Sequence, residues 1–237
     1  MKILQNKEQI YNCRVELDKR NLSALVVDNV FYRILKKLNL YKHISIGDNL
    51  KSWDIYQTIT FIENNTNTDA KILDIGCFSS EILYILLKMK FKNLYGIDLN
   101  NDLYLMPFAD KLNLSRMNFL NTKFENNQFD VITAISVIEH GFNPDALFKE
   151  AARILKQDGY FIFSFDYWED KINTNATEIF GMDWLIFSKD DVLSLLDIAL
   201  KYNFKPLSQP VFDVARKPIQ YLNFDYTFAW LVLQKAE

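Results

Sequence analysis

Two short apolar runs end in residues that can hold a ribose-bearing ligand, and three residues downstream can handle a proton. The first group is Asp74 and Gly76, in KILDIGC (Lys71 to Cys77), with Asp98, in GIDLN (Gly96 to Asn100). An apolar run closing on an acid and a lone glycine, then a helix-like stretch, then a second run closing on an acid, predicts strand, turn, helix, strand. A carboxylate at the tip of the second strand accepts from a ribose hydroxyl pair, while the first turn brings backbone amides to the ligand. Asp98 lies 22 residues beyond Gly76, close to the spacing of about 20 that such units use. A dinucleotide turn would carry G-x-G-x-x-G, so that a pyrophosphate could sit on the helix N-terminus. Phe78, Ser80 and Glu81 stand where the later glycines would fall. Phe78 and Glu81 are expected to crowd and repel a pyrophosphate, which makes NAD the weaker reading. The second group is Glu139, His140 and Asp166. A histidine can take a proton from a hydroxyl near neutral pH, and Asp166 is the rival base. A Glu139–His140 pair with a purely structural role is the alternative, and His43 is read as structural.

Alternating elements must position these groups. Strands are expected at 71–75, 93–98, 115–119, 130–136 and 160–166. Helices are expected near 48–62, 79–89 and 101–112. A further helix opens at Asn143 with Pro144 in its first turn, a good cap and N1 pair. The last helix opens at Ser188 with Asp191 in capping-box register, and strands at 210–214 and 226–234 close the chain. This alternation predicts an α/β fold with a doubly wound, mostly parallel sheet. Leu22, Leu25, Val26, Val30, Ile34, Leu35 and Leu38 recur at helical spacing. Residues 1–50 are therefore expected to form a helical cap, covering a core edge, closing over a ligand or offering a dimer surface. Residues 51–237 are expected to form the main domain.

Bulk properties exclude several functions. The chain of 237 residues is 49% apolar with a net charge of −3, enough for one large core and without the basic stripe that nucleic acid requires. No apolar run approaches the roughly 18 residues of a membrane span. Lys2, Lys7 and Glu8 interrupt any secretory signal, so a soluble cytoplasmic protein is expected. Cys13 and Cys77 are the only cysteines. They lie far apart and away from histidine, so neither a disulfide framework nor a metal site is expected.

The chain resembles the class I S-adenosylmethionine-dependent methyltransferases. LDIGC is similar to that family's first motif, GIDLN to its second, and FENNQFDVITAISVIEH (Phe124 to His140) to its fourth-strand block, over about Lys71 to Asp166. The departure is in the first loop, where the family has further glycines and this chain has Phe78, Ser79 and Ser80. The resemblance implies a Rossmann-like, seven-stranded sheet with S-adenosyl-L-methionine as cofactor. Asp74 would hold the loop or reach the amino group of the cofactor's methionine part, and Gly76 would let the backbone approach the ligand, with Cys77 and Phe78 supplying backbone and packing. Asp98 would take the ribose hydroxyls and Leu99 an adenine face. Asn118 would stand for the aspartate that meets the adenine amino group, with Phe119 beside it, and Ile135 and Ser136 would lie under the sulfonium. Tyr167, Trp168 and FGMDWLIF (Phe180 to Phe187) are expected on the acceptor side. The cation, amide and aromatic rings of RKPIQYLNFDY (Arg216 to Tyr226) suit a carbohydrate or nucleotide-linked acceptor, with an ordinary surface rim as the alternative. The expected reaction is O-methylation of a small molecule, such as a nucleotide-linked sugar for a surface polysaccharide. A lipid- or quinone-like acceptor and a non-catalytic binding protein of the same fold are the alternatives.

Overall fold

The computed structural model describes residues 1–25, 38, 44–141 and 143–236. Val26, Val30, Ile34, Leu35 and His43 lie outside the described residues. In chain order the elements are β1 (Lys2–Ile3), α1 (Lys7–Lys19), α2 (Ser52–Asn65), β2 (Lys71–Ile75), α3 (Ile82–Lys88), β3 (Asn93–Asp98) and β4 (Asn113–Arg116). Then come β5 (Phe129–Ile135), α4 (Pro144–Ile154), β6 (Leu155–Tyr167), β7 (Glu178–Ile179), β8 (Met182–Asp183), α5 (Lys189–Lys201), β9 (Phe204–Pro206), β10 (Ile219–Tyr221) and β11 (Phe224–Lys235). They fall into two compact units, Ile10–Asn118 and Met1–Gln9 with Phe119–Glu237. The architecture is α/β, with a mostly parallel, Rossmann-like central sheet and helices around it.

In the unit Ile10–Asn118, β2, β3 and β4 run parallel, with Asp74 opposite Gly96 and Asp98 opposite Arg116. Strands covered on both faces read as unbroken apolar runs, and Ile72, Leu73, Leu94 and Ile97 are all buried. Helix α3 packs with Ile82, Leu83, Ile85 and Leu86 buried. The helix expected at 101–112 is instead two 3₁₀ turns, Leu103–Leu105 and Ala109–Lys111. Pro107 explains the break. It offers no N–H and pushes the residue before it out of helical geometry, and Met106 sits at φ −65°, ψ 146°.

In the other unit, β5 and β6 are parallel, while β11 runs antiparallel to β6 from Thr227 to Gln234. Strands β1, β9 and β10 all pair with β11. The core is aromatic: Phe148, Phe161 and Phe204 meet with ring centres 5.7–6.1 Å apart. Both predicted helix starts are present. Asn143 accepts from the Ala146 N–H at 3.1 Å ahead of Pro144, and Ser188 with Asp191 forms a complete capping box. The strand expected at 210–214 is absent. Residues 210–218 have no regular pairing, because Pro210 and Pro218 cannot donate to a ladder and the pairing with β11 is taken by Ile219–Tyr221. Among the described residues no helix is long and apolar enough to cross a membrane.

Gly96 is the tightest point under the first loop. A Cβ there would lie 2.6 Å from Cys77 Sγ and 2.8 Å from both Leu83 Cδ1 and Leu114 Cδ2. Gly96→Ala is expected to cost about 1–3 kcal/mol by overpacking. Adding Cys77→Ala should recover part of that loss, read as the midpoint of urea unfolding for the single and double variants.

Candidate functional site

The loop after β2 is built around the end of β3. Gly76 adopts φ +69°, a conformation glycine reaches without the Cβ penalty. Its N–H and that of Cys77 both donate to the Ile97 carbonyl, at 2.9 and 3.2 Å. The Phe78 N–H then donates to Asp98 Oδ2 at 3.0 Å, and the Asn100 N–H to Asp98 Oδ1 at 2.8 Å. A carboxylate oxygen can accept twice, so each oxygen keeps capacity for a ribose hydroxyl. Phe78 thus serves through its main chain, and the left-handed residue is Ser79, at φ +63°. The Ser79 N–H is turned to Met106 Sδ at 3.2 Å.

Around this loop, Asp74 is buried near the end of β2. The Cys77 thiol is buried and pushed far up from its ordinary value by burial, and further by Asp74 and Asp98. It is held as a thiol, with no character of a nucleophile. Leu99 keeps 51% exposure beside Asp98 and its carbonyl accepts from Arg116 Nε at 3.0 Å. That leaves an apolar face beside the Asp98 carboxylate. Asn118 is exposed. Glu81 departs from expectation. Its carboxylate does not face a ligand but is fully buried against the Arg14 guanidinium, with contacts of 3.1 and 2.7 Å.

The proton-handling candidates belong to the other unit, as do Phe119, Ile135 and Ser136, all three half-buried. Ser136 closes β5 at φ +54°, its N–H donating to the Ser164 carbonyl at 3.1 Å. One tryptophan segment gathers the rest. His140 pairs with Trp184 in an isolated bridge, the Leu185 N–H donates to the Glu139 carbonyl at 2.8 Å, and Trp184 Nε1–H donates to Asp166 Oδ2 at 2.8 Å. Glu139 and Asp166 are buried, at 1% and 4% exposure, and His140 is half-buried. The His140 ring meets Phe180 edge-on at 5.5 Å. Burial, then Asp166 and Glu139, push the Tyr226 phenol far up, so it remains protonated as a partner of Asp166. Tyr167, expected on the acceptor side, is fully buried in β6. Trp168 is half-buried, with Lys217 Nζ 4.5 Å from its ring centre.

Sequence reading passed over Arg14 and the partner role of Trp184. Arg14 had a signal: it falls on the stripe Ile10, Cys13, Leu17 of α1, all buried, and a cation on an apolar stripe implies a buried partner. Among the described residues no group of His, Cys, Asp and Glu is arranged to hold a metal ion.

Residues 73–163 match a family described as a methyltransferase domain. The match covers less than half of the chain and agrees with the resemblance to the class I S-adenosylmethionine-dependent methyltransferases. The cofactor of that family is S-adenosylmethionine, and the fold agrees. A methyltransferase structure from Methanosarcina mazei superposes with TM-score 0.55 at 18% identity, over 74% of this chain and 97% of that one. The PH0226 protein of Pyrococcus horikoshii gives 0.56 at 17%, over 88% and 100%. A stretch of 100 residues is 29% identical to the sterol 24-C-methyltransferase erg6 of Aspergillus fumigatus, covering 38% of this chain and 26% of that protein. The match thus spans about a quarter of that curated relative's length. The residues of this chain fit that cofactor: a carboxylate with spare acceptor capacity, a left-handed glycine and an exposed leucine adjoin one strand tip.

Asp98→Ala removes the proposed acceptor for both ribose hydroxyls and also the partner of the Phe78 amide. It is expected to weaken S-adenosylhomocysteine binding by about 1–3 kcal/mol in a folded protein, measured by titration calorimetry. Gly76→Val, forced to a positive φ and branched where the loop turns, should abolish binding in the same titration. Parent-like affinity in either folded variant would refute the placement of the cofactor.

Proposed function

We propose that this chain transfers a methyl group to a hydroxyl oxygen of a small-molecule acceptor, with a carbohydrate, such as a nucleotide-linked sugar for a surface polysaccharide, as the acceptor class. Bound S-adenosylmethionine supplies a sulfonium methyl open to in-line displacement. The chain contributes position, which can be worth several kcal/mol by itself, and a group to receive the hydroxyl proton. Asp74, Gly76, Cys77, Phe78, Asp98, Leu99, Asn118, Phe119, Ile135 and Ser136 are assigned to cofactor binding in this reading.

The observation that carries the choice of base is the unequal burial of the three candidates. Asp166 is buried and occupied by Trp184 Nε1–H, and Glu139 is buried with its main chain held by Leu185. His140 alone of the three is half-buried. Its Nδ1 is buried, and Nε2 is assigned as the proton acceptor in this reading. Asp166 and Glu139 then act as positioning groups that fix Trp184 and, through it, His140. Support for a carbohydrate comes from aromatic faces beside polar groups in the same unit: Phe180, 85% exposed beside His140, and Trp168 under Lys217. Ring faces with neighbouring polar side chains suit a sugar.

A sterol- or quinone-like lipid acceptor is the second reading. The local similarity to a sterol methyltransferase favours it. Incubation with labelled S-adenosylmethionine against nucleotide sugars on one side and sterols and quinones on the other, read by mass spectrometry, separates the two.

His140→Ala is expected to leave S-adenosylhomocysteine affinity nearly unchanged and lower turnover by roughly 10²–10⁴-fold. The acid limb of the pH–rate profile should vanish with the imidazole. Near-normal turnover would remove His140 from the base role.

A further inference from the structure

We propose that the cofactor loop is set from outside by a clamp of residues that do not touch the cofactor, centred on the buried Arg14–Glu81 ion pair. This inference rests on the assignment of Gly76 to Asp98 as the cofactor site.

Ser79 holds a left-handed backbone at φ +63° without being glycine, a conformation that survives only where the surroundings enforce it. Two contacts from one strip of chain do so. The Gly47 N–H donates to the Ser79 carbonyl at 2.8 Å, and Ser79 Oγ donates to the Ser45 carbonyl at 2.8 Å. Two residues on, Glu81 begins the helix that leads away from the loop. Its Oε1 accepts from Arg14 Nη1 at 3.1 Å and from the Ala24 N–H at 3.0 Å, and its Oε2 accepts from Arg14 Nη2 at 2.7 Å. Arg14 is fixed in turn by Ser52 Oγ at 2.9 Å and Ser23 Oγ at 3.1 Å. The strip is packed against Glu81. A Cβ on Gly47, which sits at φ +81°, would lie 2.5 Å from Glu81 Cγ and 2.6 Å from Cδ.

A buried ion pair returns little net stability, because desolvation of both charges offsets their attraction. What it supplies is geometry: a two-pronged contact holds a plane as well as a distance. The guanidinium of α1 fixes Glu81, Glu81 fixes the start of α3, and Gly47 with Ser45 fixes Ser79. Together they place the Phe78 amide on Asp98. In loops rich in glycine the backbone reaches such a path freely. In this chain Phe78, Ser79 and Ser80 replace those glycines, and the clamp enforces the path instead. Glu81 and Arg14 are therefore positioning residues for cofactor binding.

The test is a double-mutant cycle on S-adenosylhomocysteine affinity, titrated well below the unfolding temperature of every variant. Glu81→Gln and Arg14→Met are each expected to raise the dissociation constant roughly 10–100-fold, as small misplacements of a site do. The double variant should be no worse than the weaker single, because the pair acts as one unit. Ser79→Ala breaks only the link to Ser45, leaves the ion pair whole, and should raise the constant by about 3–10-fold. Hydrogen exchange at residues 77–80 should quicken in all of them without cofactor present. Folded variants with parent affinity, or losses that simply add, would overturn the clamp, and if the ion-pair variants fail to fold, Ser79→Ala decides alone. A parent protein that does not bind S-adenosylhomocysteine would overturn the cofactor assignment, and the clamp with it.

Discussion

The first half of the site depends on one contact: a carboxylate at the end of a strand holds the amide of the loop that leaves the neighbouring strand. Asp98 accepts from Phe78 on one oxygen and from Asn100 on the other. Parallel pairing brings it there, since Asp74 lies opposite Gly96 and the two strands end together. Gly76 can then turn, and its N–H and that of Cys77 reach the Ile97 carbonyl. The cysteine side chain falls into the gap left by the missing Cβ of Gly96. Sheet register, a glycine without a side chain and a carboxylate at the rim are thus one arrangement. The same carboxylate that organises the loop is the one proposed to accept from a ribose.

The candidate base is organised by different means. No regular element presents His140; it sits in the connection after β5, where backbone alone would not fix an imidazole. Trp184 anchors that connection by contacts of two kinds. Its backbone bridges to His140, and its indole N–H is spent on Asp166. A buried indole N–H needs an acceptor, and a buried carboxylate needs donors, so Asp166 satisfies the indole and the indole supplies one of the donors Asp166 needs. Tyr221, Phe224 and Tyr226 then pack edge-on around the indole, at 5.9, 5.4 and 5.7 Å. The aromatic-rich C-terminal segment, which as sequence suggested an acceptor surface, has one such set of rings around a buried tryptophan.

Legibility in the sequence followed the range of the forces involved. β2 and β3 are found at the expected residues, and the helix starts at Asn143 and Ser188 are as expected. Apolar runs and caps are local signals, complete within a few residues. The helix expected at 101–112 failed because Pro107 outweighs the apolar spacing around it. The strand expected at 210–214 failed because alternation in VFDV says nothing about whether a neighbour offers hydrogen bonds. Glu81 was misread for a related reason. A charge in a binding loop looks aimed at the ligand until a counter-charge is found, and that counter-charge lies 67 residues away along the chain. The orphan cation on the buried stripe of α1 was the clue that such a partner exists.

That pairing bears on how a cofactor loop tolerates bulky residues at all. Glycines in such loops do two jobs: they permit positive φ, and they keep side chains out of the ligand's way. Here the jobs are divided. Gly76 keeps the positive φ at the strand end, and Ser79 takes the second left-handed position under external hold. Phe78 keeps an ordinary backbone and gives its amide to Asp98. Glu81, whose charge would oppose an anionic ligand and whose chain is long enough to reach one, is neutralised by Arg14 inside the protein. At Ser79 and Glu81 the loop is thereby held by contacts from elsewhere in the same unit. The loop keeps its shape because residues far away in sequence restrict it, where a glycine-rich loop would rely on its own freedom.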